Sequence, residues 1–174
     1  MSTAEWERQI ADAWASIDER DETEFLALME KLVGELPPGD PDGLFERAAS
    51  LDSTGHSDLA VPLYERALAG GLAGERRRRA TIQMASSLRN LGRSQESVEL
   101  LTAEAARVSD HLDDAVKTVL ALALTDVGRE REAVSIAVAA LAAHLPRYQR
   151  SMANYARLLV KPDPDADPES DVRS

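Results

Sequence analysis

Three glycines divide the middle of this chain into units of nearly equal length. Gly55, Gly92 and Gly128 lie 37 and 36 residues apart, and each is followed by polar residues of the kind that begin a helix. An alanine stands seven residues before each glycine and a leucine four residues before it. Recurrence at such a period is typical of proteins built from stacked copies of one supersecondary unit. The chain is therefore expected to fold as a repeat array, in which each unit buries apolar surface against its neighbours.

Each unit is predicted to consist of two antiparallel helices joined by a turn at its glycine. Glycine is common there because the residue that follows a helix often has a left-handed backbone conformation. The composition also favours helices: hydrophobic residues make up 44% of the 174 residues, but aromatic residues only 4%. A core of alanine, leucine and valine suits closely packed helices better than sheets.

The first unit resembles a tetratricopeptide repeat (TPR). The matching pattern is Leu44-x-x-x-Ala48-x-x-Leu51-x-x-x-Gly55-x-x-x-x-Ala60-x-x-x-Tyr64-x-x-Ala67-Leu68. The other units depart from it, since Ser97, Glu104 and Ala137 stand where the family usually has alanine, alanine and an aromatic residue. The resemblance implies an all-α fold: a right-handed superhelical stack of antiparallel helix hairpins, or TPR-like α-solenoid, with an N-terminal helical hairpin and a C-terminal capping helix.

Prolines and glycines mark the boundaries of four predicted parts. In the first part, Asp21 and Glu24 have the spacing of a capping box at a helix start, as do Ser2 and Glu5. The last part holds three prolines and five acidic residues and has little to bury. The parts are an N-terminal helical hairpin (1–36), a proline- and glycine-rich hinge (37–43), a TPR-like array of about three repeats plus a cap helix (44–160), and a disordered acidic tail (161–174).

The cap helix is predicted from Pro146 to Val160. Its large apolar residues recur at helical spacing and are expected to form a buried stripe. Three of them have the spacing seen in the first helices of the second and third units, so this helix has the pattern of a repeat's first helix. The expected stripe is Tyr148, Met152, Tyr155 and Leu159.

The composition disfavours several functions. The chain has no cysteine, which excludes thiol catalysis, disulfides and cysteine-based zinc sites. A net charge of -11 disfavours nucleic acids and anionic membranes as partners. The N-terminus lacks the pattern of a secretory signal, and no apolar run approaches the ~18 residues of a membrane span. We expect a cytoplasmic protein, and the abundance of Ala, Arg and Asp over Lys indicates a bacterial source.

The sequence offers no constellation that predicts catalysis. His56, His111 and His144 lack the spacing of zinc ligands. The carboxylates are scattered over predicted helix surfaces, with no apolar pocket to perturb their pKa values. We therefore expect a protein that is not an enzyme and that needs no cofactor or metal.

The strongest local signal for binding is the run from Arg76 to Arg79 at the predicted start of the second unit. Four cations are poorly placed at the positive N-terminal end of a helix. The run therefore indicates either arginine stems packed over neighbouring surfaces or a site for an anion or a partner. A further hypothesis is that the acidic tail folds back onto Arg79 and Arg89.

The TPR resemblance implies that first helices line a concave groove that binds a peptide or protein. Guanidinium groups in that groove would hold carboxylates through paired hydrogen bonds, so a partner with an acidic segment is expected. The predicted groove residues are Arg79, Ile82, Ser86, Arg89, Asn90, Thr118, Leu122 and Arg157. The alternative is a structural protein that forms a homodimer through its N-terminal hairpin, which carries Trp6 and Trp14. A small-ligand-binding protein or an enzyme is a further alternative.

Overall fold

The computed structural model describes residues 3–107 and 109–161, and every regular element in these ranges is a helix. The all-α helical-repeat class predicted from the sequence is confirmed. The chain divides into two compact units between Leu100 and Leu101. The elements are α1 (Thr3–Ala15), a 3-10 turn (Ile17–Glu19), α2 (Glu22–Val33), α3 (Pro41–Ser53), α4 (Ser57–Ala69), α5 (Gly74–Asn90), α6 (Ser94–Arg107), α7 (Asp113–Asp126), α8 (Glu130–Ala142) and α9 (Gln149–Val160).

The three repeat glycines form the same turn between paired helices. Gly55, Gly92 and Gly128 have φ angles of 90°, 74° and 76°, which an L-residue rarely adopts. In each turn the amide of the residue after the glycine donates to the carbonyl of the leucine four residues before the glycine, at 2.9, 2.8 and 2.9 Å. This bond satisfies a carbonyl that the helix end leaves without a partner. The hairpins α3–α4, α5–α6 and α7–α8 follow directly from the sequence period.

The N-terminal hairpin, α1 and α2, has its own core around Trp6, Phe25 and Met29. The Trp6 indole donates to the carbonyl of Leu32 at 2.9 Å. The predicted cap is confirmed, since Asp21 accepts the amide of Glu24 at 2.9 Å. The Ser2–Glu5 cap and the acidic tail lie outside the described residues, apart from Lys161.

The segment predicted as a hinge is partly helical. Asp40 caps α3 by accepting the amides of Asp42 and Gly43 at 3.0 and 3.2 Å. Pro41 is the first residue of α3, a position where its missing N–H leaves no bond unmade. The helix therefore begins three residues before the predicted array.

The α3–α4 hairpin is covered by α5. Phe45 and Tyr64 are fully buried with ring centroids 6.2 Å apart, and Ala80 and Met84 of α5 belong to the same core cluster. The Tyr64 hydroxyl donates to Gln83 of α5 at 3.4 Å. The first repeat thus buries its apolar face under the first helix of the next one.

In the second unit α9 packs along α8. Ser135 Oγ donates to the carbonyl of Ala156 at 2.7 Å, and Arg131 Nε to that of Leu159 at 3.2 Å. The buried residue of α9 is Ala156, whose small side chain lets the two backbones approach. The prediction of a buried Tyr148–Leu159 stripe is wrong, because Tyr148 and Tyr155 are 71% and 58% exposed. The stripe lies to one side of the Ala156 contact.

Candidate functional site

An apolar groove of about 430 Å³ lies between α7 and α8. Leu122, Val134 and Leu141 line it and are exposed, although large aliphatic side chains are usually buried. The lining is otherwise small or polar. The full set is Asp114, Thr118, Ala121, Leu122, Thr125, Ala133, Val134, Ala137, Ala140, Leu141 and His144.

The groove exists because two ring positions of the first repeat carry small residues in the third. Counting from the repeat glycines, Thr118 corresponds to Phe45 and Ala137 to Tyr64. In the α3–α4 hairpin these two rings fill the space between the helices. Threonine and alanine cannot fill it, so the α7–α8 hairpin keeps an open depression of the size that side chains from another element could occupy.

The groove is also the surface on which the next helix sits in the first repeat. Val61 and Val134 occupy equivalent positions; Val61 is 2% exposed and Val134 is 50% exposed. Helix α5 buries the first, and Ser87 of α5 donates to Asp52 on the same face at 2.6 Å. The lining of the α7–α8 groove includes no residue of α9.

Helix α9 contacts the other side of α8. Its bond is to Ser135, two positions from Ala137 and hence about 200° away around the helix. The residue equivalent to Ser135 in the first repeat is Pro62, which is exposed. Helix α9 therefore packs on a face that the first repeat leaves to solvent and does not take the place that α5 has there.

One end of the groove carries a small polar cluster. Asp114 accepts from His144 Nε2 at 2.8 Å and from Lys117 Nζ at 3.0 Å. The hydrogen bond from His144, followed by that from Lys117, holds the pKa of Asp114 below its ordinary value. The carboxylate thus stays ionised near neutral pH and forms an ion pair with Lys117 beside the apolar lining.

The arginine run is engaged inside the first unit. Arg76 donates to Glu7 twice at 2.7 Å and to Glu46 at 3.0 Å, and its guanidinium lies 5.3 Å from the Trp6 ring. These carboxylates, led by Glu7, raise the pKa of Arg76. Glu46 is buried and also accepts the Trp14 indole at 2.8 Å. Arg76 therefore joins α1, α3 and α5.

The predicted groove residues fall in both units. In the first, Arg79 lies over the Phe45 ring at 5.3 Å and Asn90 donates to Ser57 at 3.3 Å. Ile82, Ser86 and Arg89 are half-buried on the same helix, α5.

In the second unit, two predicted groove residues lie together. Thr118 and Leu122 both line the α7–α8 groove. Arg157 is exposed on α9 and donates to Asn154 at 3.0 Å.

The family of the chain is decided by comparison with known proteins. The family model described as Tetratrico peptide repeat matches residues 41–159. The chain belongs to the tetratricopeptide repeat family. The matched segment starts at the first residue of α3, so the TPR repeats begin where the structure places the first helix of the first hairpin.

Among solved structures the chain resembles another TPR protein in fold. The similar chain is a Podosopora anserina protein described as a kinesin light chain with nearly identical TPR-like repeats. The TM-score is 0.68 at 22% sequence identity, over 89% of this chain and 86% of that one. At this identity the likeness concerns the fold alone. Among curated proteins, none matches the chain.

Two kinds of feature are absent from the described residues. No group of His, Asp and Glu side chains there has the arrangement of a metal site. None of the described helices has the length and hydrophobicity to cross a membrane.

Thr118 and Leu122, which the TPR pattern assigned to a concave groove, line the α7–α8 groove, and the residues of its α8 wall were not predicted. Val134 and Leu141 were not among the predicted residues, because second helices are not expected to line a TPR groove. The signal that could have found them is the pair Thr118 and Ala137, where the first repeat has Phe45 and Tyr64.

Proposed function

We propose that this TPR protein is an interaction module that binds a protein segment on the open face of the α7–α8 hairpin. TPR arrays are generally protein-interaction modules, and stacked repeats create extended binding surfaces. The observation that carries the proposal is the exposure of Leu122, Val134 and Leu141 around a groove. Clustered exposed aliphatic side chains mark binding surfaces more often than scattered ones do.

The proposal modifies the groove predicted from the sequence. Thr118 and Leu122 belong to both surfaces, whereas Arg79 is engaged with Phe45. Apolar contact with α7 and α8 is therefore the main source of affinity that we propose, and binding of an acidic segment through arginines stays a prediction. A cytoplasmic location and a bacterial source also stay predictions.

A binding role is proposed in preference to a catalytic one because of the chemistry of the lining. Its one carboxylate is Asp114, and two donors hold the pKa of that group below its ordinary value. A general acid or base that works near neutral pH needs the opposite shift for a carboxyl group.

The homodimer predicted through the N-terminal hairpin has less support. Trp6 is buried in the hairpin's own core, and Trp14 donates to Glu46 within the chain. A dimer on this surface would have to exchange those contacts between copies. The α7–α8 face needs no such exchange, since its apolar side chains are already exposed.

A capture experiment with matched variants tests the proposal. The bait would be the tagged chain, compared with a Val134→Asp, Leu141→Asp double variant. Leu59→Asp is the control, because Leu59 on α4 is 52% exposed and Leu141 57%, so both bring a charge to exposed positions. We expect the double variant to lose a captured protein that wild type and control retain. Equal capture by all three baits would contradict the assignment of this surface.

A further inference from the structure

We propose that the α7–α8 groove receives helix α9 of a second copy of this chain, through the exposed side chains of Tyr155 and of Tyr148, which immediately precedes the helix. This inference rests on the proposed function and names the partner of that surface. Three observations support it, and they concern the kind of helix, the size of the missing side chains and the charge.

The groove corresponds to the surface on which the first helix of the following repeat packs in the first repeat. In the first repeat the equivalent surface is covered by α5, which is the first helix of the second repeat. Helix α9 has the sequence spacing of such a first helix. Within its own chain, however, α9 packs on the opposite side of α8, through Ala156 and Ser135. The chain thus contains both a surface that fits a first helix and a helix with that pattern, but α9 does not pack on the groove of its own chain.

Tyr148 and Tyr155 offer the kind of side chain that the groove lacks. The α7–α8 hairpin has Thr118 and Ala137 where Phe45 and Tyr64 fill the first repeat. Tyr148 and Tyr155 are the most exposed of the large hydrophobic side chains in the described residues. Tyr155 lies on α9, and Tyr148 stands immediately before this helix in a left-handed backbone conformation (φ 68°), so one short segment of the chain presents both rings.

The charges of the two surfaces are complementary. From Ala133 to Lys161 the chain has four basic residues besides His144 and no acidic residue, although its net charge is -11. Arg150 and Arg157 bring this positive charge to α9, and both are exposed. Helix α7 carries Asp113 and Asp114 in its first turn, and Asp114 already pairs with Lys117 and His144. Opposite charges on the two elements favour this pairing over contact between two copies of the same face.

The first test is the mass of the full chain in solution. Light scattering at tens of micromolar should give a mass above the 18.9 kDa of one chain. Val134→Asp with Leu141→Asp, which places two charges on the open face, should restore the monomer mass, with helicity unchanged by circular dichroism. Leu59→Asp should associate as wild type does. Monomeric wild-type protein at every concentration would overturn the proposal.

A crosslinking test locates the contact. Because the chain has no native cysteine, every disulfide that forms must join introduced cysteines. An Ala137→Cys chain mixed with a Tyr155→Cys chain should form a disulfide-linked pair under mild oxidation, well above the yield from either variant alone. A Leu59→Cys chain mixed with the Tyr155→Cys chain is the control. Yields equal to that control would overturn the proposal.

Two further outcomes separate this inference from the proposed function. A chain that carries both Ala137→Cys and Tyr155→Cys and closes an internal disulfide at monomer mass would show that α9 reaches its own groove, which also overturns the inference. Capture of a different protein, lost in the Val134→Asp, Leu141→Asp variant while the wild-type chain is monomeric, would leave the proposed function standing and refute the second copy as occupant.

Discussion

The first and third hairpins of this protein place the same residue in opposite environments. Val61 on α4 is 2% exposed and Val134 on α8 is 50% exposed, although both stand six residues after a repeat glycine. The backbone turn that precedes them is the same, with the same hydrogen bond to a leucine carbonyl. The difference lies in what covers the hairpin: α5 packs over the first and no residue of α9 lines the third.

This comparison shows that the repeat pattern determines a two-helix hairpin but not whether another helix packs over it. Tyr64 is held by contacts with another helix, and the covering helix is in turn held by polar bonds such as that from Ser87 to Asp52. The position equivalent to Asp52 is Thr125, which lines the open groove. Apolar residues at equivalent positions thus form a core where another helix of the chain packs over them, and an exposed surface where none does.

The largest effect is expected from opening the covered hairpin. Tyr64→Ala recreates in the first repeat the substitution that the third carries at Ala137. The free energy of unfolding should fall by about 4 kcal/mol, because a fully buried ring is replaced by a cavity. Urea titration would measure it, with Leu59→Ala at an exposed position as control at less than about 1 kcal/mol. Similar losses in both variants would show that Tyr64 is not needed beneath α5.

A smaller loss is expected when the anchor of the covering helix is removed. Arg76→Ala leaves the buried Glu46 without its cation. Breaking a buried ion pair by removing one partner costs about 3 kcal/mol. The third hairpin has Val119 at the position of Glu46, so it has no carboxylate there to hold a helix. Thermal unfolding should show the loss for Arg76→Ala and little change for Arg93→Ala, whose ion pair with Glu96 is exposed.

The valine pair tests the comparison most directly. Val61→Ala should destabilise by about 2 kcal/mol, since two buried methyl groups are lost. Val134→Ala removes the same atoms from an exposed position and should change stability by less than about 0.5 kcal/mol in the monomer. Equal effects, measured by urea titration at low protein concentration, would mean that the third hairpin is covered in solution.

The sequence predicted the hairpins well because their determinants are local. The glycine spacing marked the turns, and the Asp21 cap and the first TPR pattern are confirmed by bonds within a few residues. The position of α9 could not be predicted in this way. Its apolar spacing is that of a first helix, but the side that packs is set by Ser135 and Ala156, which are 21 residues apart.

The role of the arginine run was also beyond sequence reasoning. Arg76 binds Glu7, which is 69 residues away, and no local pattern relates the two. The adverse placement of cations at a helix start indicated either arginine stems packed over neighbouring surfaces or a site for an anion or a partner, and it did not show that the anions are Glu7 and Glu46 of the same chain. The α8 wall of the groove was not predicted, because it is exposed only where Thr118 and Ala137 replace the aromatic residues of the first repeat.

The smallest predicted effect concerns the pH dependence of that same anchor. The hydrogen bonds from Arg76 lower the pKa of Glu7 in the folded protein. A lowered pKa means that the stabilisation is complete above the ordinary glutamate value of about 4.3 and is lost as pH falls below it. Glu7 is 42% exposed, so solvent screening should limit its contribution to about 1 kcal/mol or less. Glu7→Gln should therefore be slightly less stable than wild type at pH 7, and the two should converge near pH 3. A gap that persists in acid would mean that Glu7 acts through packing and not through charge.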